Sequence, residues 1–402
     1  MLPHEDALRL VRDAARGRGL LPAETVALSD ALGRTTAEPV SGVDAIPPFD
    51  NSSMDGYALA SARAAGAPAL LPVLGTIMAG DPPRCQAESG AWRIMTGAPI
   101  PAGCDAVVPV ERTRATPDGR GVEILESPHP GDFVRGRGRD FAEGALVCPE
   151  GSVLTARHLL ALAAVGRREV SVRRRPRVAL ISTGRELVTP GAPLEPGQIR
   201  DATSSYLAAA LPLLGCDFES HGVVADDPAA FERRLDRLRG VDLVLTTGAV
   251  SMGDADFIPS SLAKLGAETV FHKAAIRPGK PVLFARFPKG PFVFGLPGNP
   301  VSTVVGLRFF AEPLIRELLG RPVEAPSRAR LSAAVEKPEH LKCFFKARHV
   351  SPGVVEILPG QQSFQIYSLL SSDCWAILPL GKSSLAEGEE IEVMPLLSEP
   401  LG

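Results

Sequence analysis

Hydrophobic spacing changes rhythm several times along the chain. Residues 5–16 place Leu8, Leu10, Val11 and Ala14 on one helical face among charged neighbours, and 22–32 also fit a helix. From about 45 to 138 the apolar positions come in short runs broken by proline and glycine. Leu71–Ile77, Trp92–Met95, Ala106–Val110 and Val122–Leu125 are examples, and such runs predict short β-strands. Helical spacing returns over 155–165. The pattern predicts a helical N-terminal domain built from 1–45 and 139–176, into which a small β domain, 46–138, is inserted.

From 177 the chain alternates strand and helix. Arg177–Ile181, a helix near 204–214, Phe218–Val224, a helix near 228–239 and Val241–Leu245 follow in turn. Strands around 282–285 and 292–294 and a helix over 301–319 complete the series. Continuous apolar strands between amphipathic helices predict a doubly wound, mostly parallel α/β sheet over 177–322, with right-handed crossovers. Past the Pro-rich stretch 321–327 the spacing is β-like again, predicting a C-terminal β domain, 323–402. The predicted class is therefore multidomain α/β.

Composition narrows this picture only a little. A chain of 402 residues exceeds what one core organises. Aromatic content of 5% makes the cores aliphatic. A net charge of −3 argues against a broad nucleic-acid surface but permits a local cationic pocket. The six cysteines are dispersed without a CxxC pair, which suggests reduced thiols and argues against a zinc site. The charged N-terminal stretch has no apolar core of a signal peptide, and no run reaches bilayer length. A cytoplasmic protein with no membrane partner is expected.

The chemistry concentrates at 273–302. Lys273, Arg277 and Lys280 lie within eight residues, around a Pro278-Gly279 turn. A short strand follows, and then Gly295-Leu-Pro297-Gly298-Asn299-Pro300 opens a helix. Ligands of an open parallel sheet bind beyond the carboxyl ends of its strands. Two more loops belong there, Ser182-Thr183-Gly184-Arg185-Glu186 and Thr246-Thr247-Gly248-Ala249-Val250-Ser251. Hydroxyls, tight glycines and nearby cations on one sheet edge suit phosphate or another oxyanion. Glu186 closes the first of these loops, Asp254 and Asp256 continue the second, and Asp226 follows the run Phe218–Val224. A Mg²⁺ ion bound by one or two of these acids and by a substrate phosphate would offset their repulsion. Asp226, just ahead of Pro228, also fits a helix cap.

The β domain carries a second polar concentration. It comprises Pro48-Phe-Asp50-Asn-Ser-Ser-Met-Asp55-Gly-Tyr57-Ala, Met95-Thr96-Gly-Ala-Pro and Arg135-Gly-Arg137-Gly-Arg139-Asp140.

Five motifs in this order resemble the molybdopterin molybdenumtransferase family, called MoeA in bacteria and represented by the E domain of gephyrin in animals. They are Pro48 to Ala58, Met95 to Val108, Ser182-Thr-Gly-Arg-Glu-Leu187, Pro278-Gly-Lys-Pro281 and Gly295-Leu-Pro-Gly-Asn-Pro-Val-Ser302. The resemblance spans nearly the whole chain. It implies a homodimer whose cleft lies between domains of different subunits. It implies that adenylyl-molybdopterin and molybdate give molybdenum cofactor and AMP, with magnesium. Implied catalytic positions are Asp55, Thr96, Asp140, Glu186, Asp226, Asp256 and Lys273. The resemblance also implies Arg277, Pro297 and Pro300 in the site, and the loop chemistry adds Ser182, Thr183, Gly184, Gly248, Ser251, Lys280, Gly298 and Asn299 as expected substrate-binding positions. Glu186, Asp226 and Asp256 are assigned as the metal-binding or water-positioning acids. A molybdopterin adenylyltransferase and molybdoenzyme acceptors or chaperones are the implied partners.

Several positions depart from the family pattern. Arg277 stands where many relatives have lysine, Ala249 replaces the second glycine of a pair, and Thr203 replaces an asparagine. Arg185 replaces an acid, and Asp373-Cys374 stands where Ala-Asn is usual. Every implied catalytic acid is present. A paralogue inserting tungstate, or a non-catalytic dimeric scaffold like the gephyrin E domain, is the alternative.

Overall fold

The computed structural model describes residues 1–83, 89–224, 227–250 and 257–398. They pack as two compact units: Met1–Glu38, Glu150–Ala156 and Ser171 onward in one, and Pro39–Pro149 with Arg157–Val170 in the other.

The smaller unit is built on a six-stranded sheet ordered Ala106–Pro109, Gly56–Leu59, Ala91–Ile94, Ala69–Ile77, Gly121–Ile124, Thr113–Ala115. Only the pairing of Ala69–Ile77 with Ala91–Ile94 is parallel. Side chains alternate between its faces, as a period of two requires. Tyr57, Leu59 and Val108 enter one apolar cluster, while Ala58 and Val107 enter the other.

The larger unit holds the α/β sheet. Its strands in chain order are β1 (Arg177–Thr183), β2 (Asp217–Val224), β3 (Leu243–Thr247), β4 (Glu268–His272), β5 (Leu283–Arg286) and β6 (Phe292–Leu296). Their spatial order is β2-β1-β3-β6-β5-β4. The first three pairings are parallel; β6–β5 and β5–β4 are antiparallel. The connection between β5 and β6 is too short for a crossover, so these strands form a hairpin.

Both sheet faces are covered. Leu180, Leu245, Phe284 and Phe294 pack with Leu207, Leu211 and Leu314 on one side, and Ile181, Val244 and Val293 pack with Phe231, Leu235 and Leu262 on the other. The N-terminal helix His4–Arg18 joins the first of these cores through Ala7, Val11 and Ala14. Arg16 pairs with Glu317 at 2.9 Å beside it.

Residues 22–32 are not the expected helix. They form a strand, Ala23–Ala27, and one 3-10 turn, Leu28–Asp30. Thr25 and Val26 are β-branched and disfavour a helix. The Arg174 amide donates to Pro22 O at 2.8 Å, a bond between segments that anchors the chain where the strand begins.

The C-terminal strands Lys342–Ser351, Val354–Ile357, Ser327–Leu331, Glu390–Pro395 and Cys374–Leu378 pair in that order, and the last also pairs with the first. The ring of pairings closes a small barrel around Leu331, Phe345, Val355, Ala376 and Ile391. Ile276–Arg277 adds a parallel edge to it, in register with Lys342–Cys343. The segment bearing the three cations is thereby fixed to both the α/β sheet and the barrel.

Candidate functional site

Thr183, Thr247 and Leu296 end three adjacent parallel strands, with Ser182 opposite Thr247 and Thr247 opposite Leu296. The loops that follow therefore leave from one edge. Glycine is required where they meet. Gly248 has φ +88°, and a Cβ there would stand 2.4 Å from the Thr183 carbonyl oxygen. A Cβ on Gly298 would lie 3.6 Å from the Gly248 Cα, so two nearly bare backbones face each other across β3 and β6. Ala249 sits in the left-handed region at φ +47°, where a Cβ is strained.

Beneath these loops is a network of hydroxyls around Asp201. Ser182 Oγ donates to Asp201 Oδ2 at 2.8 Å, and Thr203 Oγ1 and the Ser204 amide each reach Oδ1 at 3.0 Å. Asp201 thereby caps the helix Ala202–Leu213. Burial opposes its charge, yet the bonds from Ser204, Ser182 and Thr203 hold the carboxyl below its ordinary range. Thr203 supplies a donor in place of the family's asparagine. Thr183 Oγ1 donates to Thr247 O at 3.0 Å, and Thr247 Oγ1 to Ser182 Oγ at 3.2 Å. The hydroxyls of Ser182 and Thr183 are buried and engaged within the loops, so their part is to hold the edge in shape.

The cationic segment is equally constrained. Lys273 has φ +77°, its amide donates to Val282 O at 2.9 Å, and the Ala274 amide donates to Lys280 O at 3.1 Å. A Cβ on Gly279 would meet Ile276 Cδ1 at 3.2 Å and Ser302 O at 3.6 Å, which presses the turn against the helix that starts at Pro300. His272 Nε2 lies 2.9 Å from Val250 O and ties β4 to the loop after β3. Lys273 and Arg277 are half-buried and Lys280 is exposed. Among the described residues, none of these three side chains makes an ion pair or hydrogen bond. Three cations on a braced segment, unpaired among the described residues, suit an oxyanion.

Of the sequence-predicted acids, Glu186 is exposed, and its carboxylate oxygens lie 2.7 and 2.9 Å from where a Cβ on Gly184 would stand. The Glu186 carboxylate thus occupies the space that a Cβ at position 184 would take. Asp226, Asp254, Asp256 and Ser251 lie outside the described residues. The helix after Asp226 is capped by Asp227, whose side chain accepts from the Ala229 amide at 2.9 Å.

The smaller unit gathers its own motifs. Asp55 Oδ1 accepts from the amide and the hydroxyl of Thr96 at 2.7 and 2.9 Å, and these bonds hold its carboxyl below the ordinary range. Asn51–Ser52 pairs with Val134–Arg135, and the Ser52 amide donates to Ala98 O at 3.0 Å. Asp50 accepts from the Arg137 amide at 2.7 Å, and exposed Asp140 is placed by its amide bond to Ile46 O at 2.9 Å. A Cβ on Gly56 would stand 2.1 Å from Val108 O, so no other residue fits between Asp55 and Tyr57.

No sequence motif marks one neighbour of the strand-end site. The Val301 amide donates to Ser363 O at 3.0 Å, placing the loop 361–370 at the start of the helix. Buried Lys346 pins this loop through Gly360 O and Gln365 O at 2.5 and 2.7 Å. Phe364 and Tyr367 on it are 65% and 83% exposed. Two aromatics in a Gln- and Ser-rich turn, within a chain so poor in aromatics, were the available signal.

Comparison with known proteins bears on what this arrangement does. Residues 2–166 match the MoeA N-terminal region (domain I and II), 179–317 a probable molybdopterin binding domain, and 328–396 the MoeA C-terminal region (domain IV). A molybdopterin molybdenumtransferase of Synechococcus elongatus is 43% identical over 386 residues, covering 94% of this chain and 95% of that protein. One of Haemophilus influenzae is 34% identical, covering 96% and 98%. A crystal structure of a molybdopterin biosynthesis MoeA protein from Pyrococcus horikoshii superposes with a TM-score of 0.83 at 31% identity, covering 98% of this chain and 99% of that one.

Proposed function

The chain belongs to the MoeA family of molybdopterin molybdenumtransferases, transferases that insert molybdenum during molybdenum cofactor biosynthesis, and from that premise we propose how its residues divide the work. The substrates are adenylyl-molybdopterin and molybdate; the products are molybdenum cofactor and AMP. Lys273, Arg277 and Lys280 bind molybdate and the substrate phosphates, and the observation that carries the reading is that these cations have no ion-pair partner among the described residues. The Gly248 and Gly298 backbones admit the pyrophosphate closely, and the loop Pro297–Pro300 frames the pocket. Arg277 offers a planar fork to an oxyanion where lysine would offer a point charge.

Glu186, with Asp226 and Asp256, would hold magnesium, whose charge neutralises that developing on the cleaved phosphoanhydride. Asp55, fixed by Thr96, and Asp140 form the second wall, contributed by the partner subunit of a homodimer. The dithiolene sulfurs of the substrate themselves take the metal, so the protein needs no nucleophile.

The test incubates the purified chain with adenylyl-molybdopterin, Mg²⁺ and molybdate, and follows AMP release and activation of an apo-molybdoenzyme. AMP release no faster than the blank would remove the enzymatic reading and leave the scaffold. Tungstate in place of molybdate tests the paralogue: faster AMP release with tungstate would reassign the oxyanion.

A further inference from the structure

The C-terminal barrel carries a second cluster of metal-binding donors that the reaction does not use. Cys374 faces Ala347 across the antiparallel pair Lys342–Ser351 and Cys374–Leu378, and His349 lies on the same face two residues beyond Ala347. Asp373, immediately before Cys374, turns toward His349. Its carboxylate accepts from the His349 amide at 3.1 Å and lies 3.0 Å from Nδ1. The Cys374 sulfur lies within 4.8 Å of the same carboxylate. One nitrogen, one oxygen and one sulfur therefore lie within 4.8 Å of one another, the one such trio among the described residues.

We propose that His349, Asp373 and Cys374 form a binding site for a divalent cation of the zinc class, through an imidazole nitrogen, a carboxylate oxygen and a thiolate sulfur, with solvent as the fourth ligand. The side chains of His349 and Asp373 are 45% and 52% exposed, so an ion can enter from water. The sulfur closes the site from inside, since Cys374 is 2% exposed. Zinc bonds of about 2.0–2.3 Å bring tetrahedral ligand atoms to roughly 3.5 Å apart, so a contraction of about 1 Å completes the trio. On binding, Cys374 releases its thiol proton to solvent and forms the S–metal bond. Asp373 exchanges its hydrogen bonds for an O–metal bond, and His349 binds through unprotonated Nδ1. Coordination to a dication deprotonates a thiol.

The mixed donor set favours a borderline ion over magnesium, which takes oxygen alone. The site is separate from the cationic segment. Arg277 pairs with Cys343, and His349 is six residues further along that strand, about 20 Å away at the usual rise. The cysteine spacing concealed it, because the donors come from two strands and only one is a thiol.

The full chain, reduced and freed of metal by a chelator, is titrated with Co²⁺ in the absence of substrate. One Co²⁺ per chain with a thiolate-to-cobalt charge-transfer band, displaced by Zn²⁺, is expected. Cys374→Ser should lose the band, and His349→Ala should weaken binding at least tenfold while AMP release is unchanged. No band in the parent chain, or a band undiminished in His349→Ala and Asp373→Asn, would overturn the proposal. Those two variants alter exposed positions and decide the matter even if Cys374→Ser does not fold.

Discussion

The strand-end edge and the barrel trio are both polar centres of the larger unit, yet they are assembled differently. At the edge each loop is a run of consecutive residues, such as Ser182–Glu186 or Pro297–Pro300, whose shape follows from its own glycines, prolines and hydroxyls. In the trio, His349 and Asp373 are far apart in the chain and meet only because two strands pair. The cage around His4 belongs to this second type. That ring lies 5.2 Å from both Phe310 and Phe344, which other segments supply. Local construction makes chemistry readable from sequence; cross-strand construction hides it.

The largest expected effect tests the edge. Lys273→Ala removes one of three cations from the proposed oxyanion site, and AMP release should fall about 100-fold or more, as the loss of a charge-assisted donor in the transition state does. The oligomeric state and the melting temperature should be unchanged. A rate within threefold of the parent would detach the edge from catalysis.

Gly248→Ala challenges local construction directly. Its methyl would collide with Thr183 O in a left-handed turn, costing about 2 kcal/mol or more. Urea unfolding should shift accordingly, and AMP release should drop as well. A neutral result in both would mean that the loops yield at their point of closest approach.

His4 probes the cross-segment type through pH. Burial, and next the charge of Lys342, lower its pKa from 6.5 to about 4. Between those values the unfolded chain binds a proton that the folded chain does not, so this contribution is complete above pH 6.5 and is lost as pH falls toward 4. The loss should be on the order of 3 kcal/mol. His4→Leu should flatten that part of the stability profile; an unaltered profile would assign it to other groups.

The smallest effect concerns the aromatic loop beside the helix start. Tyr367→Ala should raise KM for adenylyl-molybdopterin about fivefold or more with kcat retained, the usual effect of removing one stacking partner from a flat heterocycle. Equal KM values would leave the exposed ring without a part in substrate binding.

Much of the fold is legible in the amino-acid pattern. The continuous apolar runs of β1 and β3 and the amphipathic helices between them specify a covered α/β sheet, and the glycine- and hydroxyl-rich loops after those strands mark the edge at which the site is proposed. Other features are not legible there. The hairpin of β5 and β6 is compatible with either direction, because an apolar run carries no sign of strand polarity. The helical spacing of 22–32 gives way to a strand.

The family, the α/β class, and the loops that carry Lys273, Arg277, Gly248 and Gly298 are thus written in the order of residues alone. Turn chemistry and apolar period are local properties, expressed over a few neighbouring residues. Three-dimensional packing was needed to establish that His4–Arg18 shares a core with the sheet, that the terminal strands close into a barrel, and that Cys374 meets His349. Those outcomes depend on hydrogen bonds and packing between segments hundreds of residues apart or on facing strands, where no short window of sequence contains both partners.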